Sequence, residues 1–323
     1  VPSLIRNYMR GFTMEFKKEQ LIKSPLNYTG GKFKLLPQIL PLLPDDIGTF
    51  VDLFCGGGNV GVNIRAEKII CNDIEPHIIS LLRYFKNSTS REVLSGVEAI
   101  IARYGLSDTR TYGYGYYGCN SSDGVASYNK DPYLRLRADY NKDTSNDLMF
   151  FAVVLFAFSN QIRFNSKGEF NMPVNKRDFN DVVRQNTVRF IDKLRTLDVG
   201  FICGSFEQFS LDAMTPKDLI YCDPPYLVTC ASYNEQSGWT EAHERRLLAY
   251  LDEADKRGIR FALSNVFENK GKSNDILIEW SKRYTVHHLN HTYANCNYHA
   301  KNKSTSGTDE VLIVNFRSGV VQG

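Results

Sequence analysis

Short apolar runs that end at glycine or acidic residues alternate with longer amphipathic stretches over much of this chain, as expected of strands followed by helices. Residues 49–54 (Thr-Phe-Val-Asp-Leu-Phe) read as a buried strand, 55–58 (Cys-Gly-Gly-Gly) as a tight turn, and 59–65 as the helix that the turn opens. A second strand over 68–71 ends at Asn72 and Asp73, and 75–85 carries apolar residues at helical spacing. This β-α-β-α rhythm predicts a parallel sheet. The rhythm breaks over 88–198 into helical pieces, a Gly/Tyr-rich loop at 112–118 and a polar segment at 160–180, which together predict an inserted lobe. It resumes with a strand at 219–222, an amphipathic helix at 241–256 and a strand at 260–263. Residues 284–290 and 311–316 read as paired strands around a Ser/Asn/Lys-rich loop. The predicted fold is α/β: a mainly parallel sheet with an antiparallel C-terminal strand, and a helical lobe inserted after the second strand. Residues 21–87 and 199–323 would form the sheet domain, 88–198 the insert, and the polar segment 1–20 an extension.

Composition narrows this picture only a little. A chain of 323 residues, 42% hydrophobic and 23% charged, is ordinary for a folded protein with a large core, so disordered and fibrous classes are excluded. The longest apolar run, 148–158, is too short to cross a bilayer, and the first residues lack a signal-peptide stretch, so a cytoplasmic protein is expected. Seven scattered cysteines without a C-x-x-C pair argue against a disulfide framework or a four-cysteine zinc site. His287, His288, His291, Cys296 and His299 are residue types that bind zinc, but the alternation over 284–290 reads as a strand, and no metal is expected. The net charge of +3 does not by itself point to nucleic acid. Residues 130–195 nevertheless hold twelve Lys/Arg against eight Asp/Glu, which puts the positive excess in the middle of the chain.

Two motifs carry chemistry. In the first, the Gly56-Gly57-Gly58 turn lets a ligand approach the backbone, and Asp73, at the end of the next strand, suits ribose hydroxyls; this pattern serves a dinucleotide as well as S-adenosylmethionine. Thr29-Gly30-Gly31-Lys32 is no phosphate loop, because Leu26 stands where the earlier glycine is needed and Phe33 where Ser/Thr is needed. The second motif, Asp223-Pro224-Pro225-Tyr226, directly follows the strand at 219–222. It sets a carboxylate, a rigid carbonyl-bearing turn and an aromatic ring at the edge where open α/β sheets bind ligands. The lone pair of an aromatic amine is delocalised into its ring. The Asp223 carboxylate and the Pro224 carbonyl can each accept an amine hydrogen and turn that lone pair out of conjugation, the prolines fixing the carbonyl. Tyr226 suits stacking on a base that has been flipped out of a duplex. The plainer alternative is a strand-ending turn with a buried tyrosine.

With these residues the chain resembles the Dam-type, D12 class, DNA adenine-N6 methyltransferases over about 24–316. Ser24-Pro-Leu-Asn-Tyr-Thr-Gly-Gly-Lys-Phe-Lys-Leu-Leu-Pro37 resembles the family's N-terminal cofactor motif, with Tyr28 where tryptophan is usual. Val51-Asp-Leu-Phe-Cys-Gly-Gly-Gly-Asn-Val-Gly61 is similar to its F-x-G-G-G motif, which covers Phe54, Gly56 and Gly58, and Cys71-Asn-Asp73 to its ribose-binding acidic motif. Gly204-Ser205-Phe206 is similar to a Gly-Asp-Phe block whose aromatic lies near the cofactor adenine, with Ser205 replacing the acid. The resemblance implies an S-adenosylmethionine-dependent methyltransferase fold in which Tyr28, Lys32, Asp73 and Asp223 touch S-adenosylmethionine, and Asp223, Pro224 and Tyr226 orient a flipped adenine. Ser264-Asn265 resembles a pair near the target pocket, although an asparagine turn is an equal reading.

Within the insert, 160–173 is similar to the family's DNA-contacting hairpin. Arg163 and Lys167 suit phosphate or guanine, and Asn160 and Asn165 suit base edges; the alternative is a hairpin held by its own asparagines. Tyr112-Gly-Tyr-Gly-Tyr-Tyr-Gly118 would serve as stacking faces or as a flexible connection. The expected activity is methyl transfer to adenine N6 in a short double-stranded DNA word by a monomer, with a restriction endonuclease as a partner that the sequence leaves open. The rivals are the same chemistry on RNA or another planar amine, and a non-catalytic DNA-binding module.

Overall fold

The computed structural model describes residues 20–28, 30–230, 238–289 and 307–317. Their elements, in chain order, are α1 (Leu36–Ile39), β1 (Thr49–Asp52), β2 (Lys68–Asp73), α2 (Pro76–Asn87), α3 (Ser90–Tyr104), α4 (Thr109–Tyr116), α5 (Ala126–Lys142), α6 (Asp147–Phe156), α7 (Asp181–Thr196), β3 (Val199–Cys203), β4 (Leu219–Cys222), α8 (Leu227–Cys230), α9 (Glu241–Lys256), β5 (Arg260–Asn269), β6 (Lys272–Ser273), α10 (Asp275–Ser281), β7 (Thr285–Leu289) and β8 (Thr308–Val314). Seven strands run β3-β2-β1-β4-β5-β8-β7 across one sheet, with β6 paired to β5. The strands from β3 to β5 are parallel, and β8 and β7 close the far edge in antiparallel register. The fold is therefore the mixed α/β arrangement expected from the sequence, a mainly parallel sheet with an antiparallel edge.

The central strands are apolar throughout because both of their faces are covered. Phe50 packs into the cluster shared with α2, α6 and α7, while its neighbour Val51 packs into the opposite cluster with α9 and α10. Helix α2 starts where Glu75 accepts the His77 N–H at 3.2 Å and Pro76 takes the first position, and it buries Ile78, Ile79, Leu81, Leu82 and Phe85. Helix α6, apolar on every side and buried from Phe150 to Phe156, accounts for the long apolar run of the insert. Its buried side chains join those of α2, so residues 88–198 share one core with the sheet.

Two local expectations are corrected. Residues 59–65 form a series of turns and no regular helix. Asn59 and Asn63 spend their side chains on the segment before β1: the Asn59 oxygen accepts the Ser24 N–H at 3.0 Å, and Asn63 accepts from Ile22 at 2.7 Å. Gly61 lies so close to Cys71 that an added Cβ would stand 3.0 Å from its sulfur. With glycine, asparagine and β-branched valine in these positions, helix propensity is too weak to outweigh such contacts. Residues 112–116, read as a loop, instead belong to α4, capped by Asp108 and broken at Gly113 with φ 72°. Tyr112 stacks on Tyr116 at 4.8 Å, and these rings hold the segment together.

Candidate active site

The sheet order changes direction between β1 and β4: from β1 the chain moves outward through β2 and β3, and from β4 through β5. At such a switch point the connections leave to opposite sides and open a crevice at the carboxyl ends of the strands. A cavity of about 730 Å³ lies there, lined by segments that follow β1, β2, β3 and β4. Its size is that of a small-molecule site.

On one side Asp73, the last residue of β2, accepts the Gly56 N–H at 2.8 Å through one oxygen and the Glu75 N–H at 3.0 Å through the other. Burial holds its carboxyl above the usual range in spite of these bonds. A carboxylate has about four acceptor positions, so it keeps capacity for hydroxyl donors. Gly56 has φ 47°, and an added Cβ would sit 2.9 Å from the Tyr28 ring, which lies over the turn. Burial, followed by the charges of Asp73 and Glu75, pushes the Tyr28 phenol above its ordinary value. Phe54, Phe206 and Trp239 form an aromatic wall, with ring centroids 5.6 to 5.9 Å apart. Ile74 also lines the cavity, although it is 72% exposed.

On the other side Asp223, Pro224 and Tyr226 follow β4 and line the same cavity. Lys32, 4% exposed, places its ammonium 2.8 Å from Asp223 Oδ1 and 3.5 Å from Glu310 Oε1. Tyr226 donates its hydroxyl to the same Asp223 oxygen at 2.8 Å, and the Lys32 ammonium stands 4.8 Å from its ring centre. Burial raises the Asp223 carboxyl above its ordinary range, with the Lys32 charge opposing. Asp52, at the end of β1, lies between the two sides. Burial, then the charge of Asp223, pushes it up to about 8 against the Gly61 N–H that it accepts, and Asp73 adds to the rise. Asp52, Asp73 and Asp223 thus bring three carboxyl groups to a crevice with one buried ammonium, an arrangement that favours a cationic ligand.

Tyr28, Lys32, Phe54, Gly56, Asp73, Phe206, Asp223, Pro224 and Tyr226, singled out from the sequence, all line this one cavity. Gly58 does not: with φ 75° it turns toward the helices, where an added Cβ would meet Phe190 at 3.4 Å. Ser264 and Asn265 are fully buried away from the cavity, and the Asn265 amide donates to Glu244 at 3.2 Å. The same carboxylate, itself fully buried, accepts from Asn274 at 3.0 Å and from the Trp239 indole at 2.7 Å, and so fixes the aromatic wall from behind. Asp52, Trp239, Ile74 and Glu310 escaped the sequence reading. Only Asp52, beside the glycine turn at a strand end, carried a local signal.

The 160–173 segment is a hairpin held by its own polar groups. The Asn160 amide donates to the Leu155 carbonyl at 2.7 Å at the end of α6, and the Asn165 oxygen accepts from Lys167 at 2.9 Å and Glu169 at 3.0 Å. Both asparagines are thus engaged inside the protein, whereas Lys167 is exposed and Arg163, also exposed, bonds Asn171 at 2.8 Å. Ile162 reaches the cavity wall, which brings the hairpin to its rim.

Among the described residues no group of three His, Cys, Asp or Glu side chains is arranged to hold a metal, and no helix is long and apolar enough to cross a membrane. His291, Cys296 and His299 lie outside the described residues, and His288 contacts Asp309 at 2.8 Å. Cys55, Cys71, Cys119, Cys203 and Cys222 are free thiols.

The model of the D12 class N6 adenine-specific DNA methyltransferases matches residues 28–295. The chain is 40% identical over 306 residues to the type II methyltransferase M.FokI of Planomicrobium okeanokoites, covering 93% of the chain and 44% of that protein. It is 41% identical over 308 residues to the modification methylase StsI of Streptococcus sanguinis, again covering 93% and 44%. It therefore spans less than half the length of either relative. A DNA adenine methylase of Vibrio cholerae is 26% identical over 250 residues, covering 74% of the chain and 80% of that enzyme.

Proposed function

The chain belongs to the family of D12 class N6 adenine-specific DNA methyltransferases, and on that premise we propose that it methylates the N6 amine of an adenine flipped out of double-stranded DNA, with S-adenosylmethionine as donor. The observation that carries this reading is the single cavity that joins Asp73 and the glycine turn to Asp223, Pro224 and Tyr226. A donor site and an amine-reading site are useful to each other only when they meet.

The residues present fit the donor. Asp73 retains acceptor capacity for ribose hydroxyls, Phe54, Phe206 and Ile74 offer apolar faces to a purine, and the carboxyl-rich crevice suits a sulfonium. S-adenosylmethionine supplies, when bound, an electrophilic methyl group on positively charged sulfur. Tyr28 and Lys32 would border it across the Gly56 turn. Asp223 accepts one hydrogen of the target amine and the Pro224 carbonyl the other, Tyr226 stacks on the base, and this positioning supplies much of the rate.

The lobe of residues 88–198 serves target recognition in this reading. Arg163 and Lys167 contact phosphate or guanine from the hairpin at the cavity rim, and the excess of cations over residues 130–195 favours the duplex. Asn160 and Asn165 act by shaping the hairpin, because their amides are engaged internally. StsI carries the name of a modification methylase and M.FokI that of a type II methyltransferase, which supports a cognate endonuclease sharing the same DNA word.

Methyl transfer from labelled S-adenosylmethionine to unmethylated genomic DNA, followed by mapping of the modified bases, tests the reading. N6-methyladenine in one short word is expected; label in RNA alone, or on cytosine, would overturn it. Gly56→Ala tests the donor side, because a Cβ at positive φ, 2.9 Å from Tyr28, must displace that ring. The dissociation constant for S-adenosylmethionine, read by titration calorimetry, is expected to rise ~10- to 100-fold, about 1.4 kcal/mol per tenfold, while the melting temperature changes little.

A further inference from the structure

The donors around Asp223 raise a difficulty for the amine-reading role. Its Oδ1 atom already takes both the Lys32 ammonium and the Tyr226 hydroxyl, each at 2.8 Å. An incoming amine can take the other oxygen, Oδ2, but it draws on the same delocalised charge and so weakens the carboxylate's hold on Lys32, and a buried ammonium with a weakened carboxylate partner is strongly penalised. Glu310 stands close to the same two donors, with Oε1 3.5 Å from the Lys32 ammonium and 3.4 Å from the Tyr226 hydroxyl. It is 6% exposed, and its backbone is fixed on both sides, opposite Val266 of β5 and Leu289 of β7.

We propose that Glu310 is a positioning residue for methyl transfer, receiving the Lys32 ammonium and the Tyr226 hydroxyl when Asp223 engages the target amine. The ammonium passes between two carboxylates and keeps a charge partner throughout, and the phenol exchanges one acceptor for another. Asp223 is released toward the substrate without leaving a buried charge uncompensated. The cation over the Tyr226 ring shifts in the same movement, which clears that ring for the base. Both partners of the exchange come from distant parts of the chain, Lys32 before β1 and Glu310 on β8, and only the sheet order brings them together.

The inference rests on the proposed reaction, and its test separates the two. Wild-type enzyme and the Glu310→Gln and Glu310→Asp variants are compared in single-turnover methylation of a duplex carrying the mapped word, alongside S-adenosylmethionine and DNA affinities and thermal melting. Glu310→Gln keeps size and loses charge, so the transfer rate is expected to fall ~30- to 100-fold while both affinities stay within about threefold. Glu310→Asp keeps the charge and is expected to transfer faster than Glu310→Gln. A packing role would reverse that order, because glutamine preserves the shape and aspartate does not. Glu310→Gln transferring at the wild-type rate, the reversed order, or S-adenosylmethionine affinity falling in step with rate would each overturn the proposal. Absence of transfer to DNA adenine by the wild-type enzyme would overturn the proposed function, and the inference with it.

Discussion

Asp223→Ala is expected to lower single-turnover methyl transfer to adenine by about 10³-fold, roughly 4 kcal/mol of barrier. The size follows from what the carboxylate does. An amine hydrogen gains positive character as nitrogen gives up its lone pair, so a carboxylate accepting it binds the transition state more tightly than the ground state. The site magnifies that difference, because Asp223 sits in a buried crevice where water screens poorly. Alanine also leaves the Lys32 ammonium with Glu310 as its carboxylate neighbour among the described residues, so the vacated pocket keeps a cation next to an amine that must become positive. Asp223→Asn should retain part of the rate, since its amide oxygen still accepts a hydrogen without the charge. The measurement is single-turnover transfer together with DNA affinity. A parallel loss of DNA binding, or a loss of less than tenfold, would mean that Asp223 does not read the amine.

The sheet and the chemistry at its edge were legible in the sequence to different depths. Strand β4 and helix α9 have the bounds their patterns predict, because an apolar run before a proline turn and an amphipathic stretch capped by Thr240 are local signals that tertiary packing reinforced. The turns at 59–65 were misread because Asn59 and Asn63 answer to Ile22 and Ser24, more than thirty positions away. Asn160 and Asn165 looked like base-reading groups for a related reason: an asparagine that holds a turn and one that reads a base have the same local sequence. Asp73 and Asp223 stood out because each ends an apolar strand beside a glycine or proline turn. Trp239 and Glu310 carry no such mark. Trp239 reaches the cavity because Glu244 fixes its indole, and Glu310 because β8 folds back beside β5. The placement of Glu310 is a property of the sheet order, and no window of the chain contains it.

Asp52→Asn should stabilise the protein increasingly as pH rises. Burial and the charges of Asp223 and Asp73 hold the Asp52 carboxyl at about 8 against the opposing Gly61 N–H, whereas in the unfolded chain it titrates near 4. The folded state therefore binds this proton more tightly, so the associated stability is fully present below about pH 4 and is lost as pH climbs through about 8. At roughly 1.4 kcal/mol per unit of pKa, the loss is on the order of 5 kcal/mol at most. Asparagine is nearly isosteric, can still accept the Gly61 N–H and never ionises. Thermal unfolding of both proteins from pH 5 to 9 should show the variant gaining on the wild type up to about pH 8 and a constant difference above; a gap independent of pH would mean that Asp52 titrates normally. The ligand adds a second, functional test. A cation in the crevice stabilises ionised Asp52, so S-adenosylmethionine should recover part of the wild-type deficit at pH 8.5, and its uncharged thioether product, S-adenosylhomocysteine, should recover less. Equal recovery by both would mean that the carboxylate does not sense the sulfonium, and that the negative character of this cavity serves something other than the methyl donor.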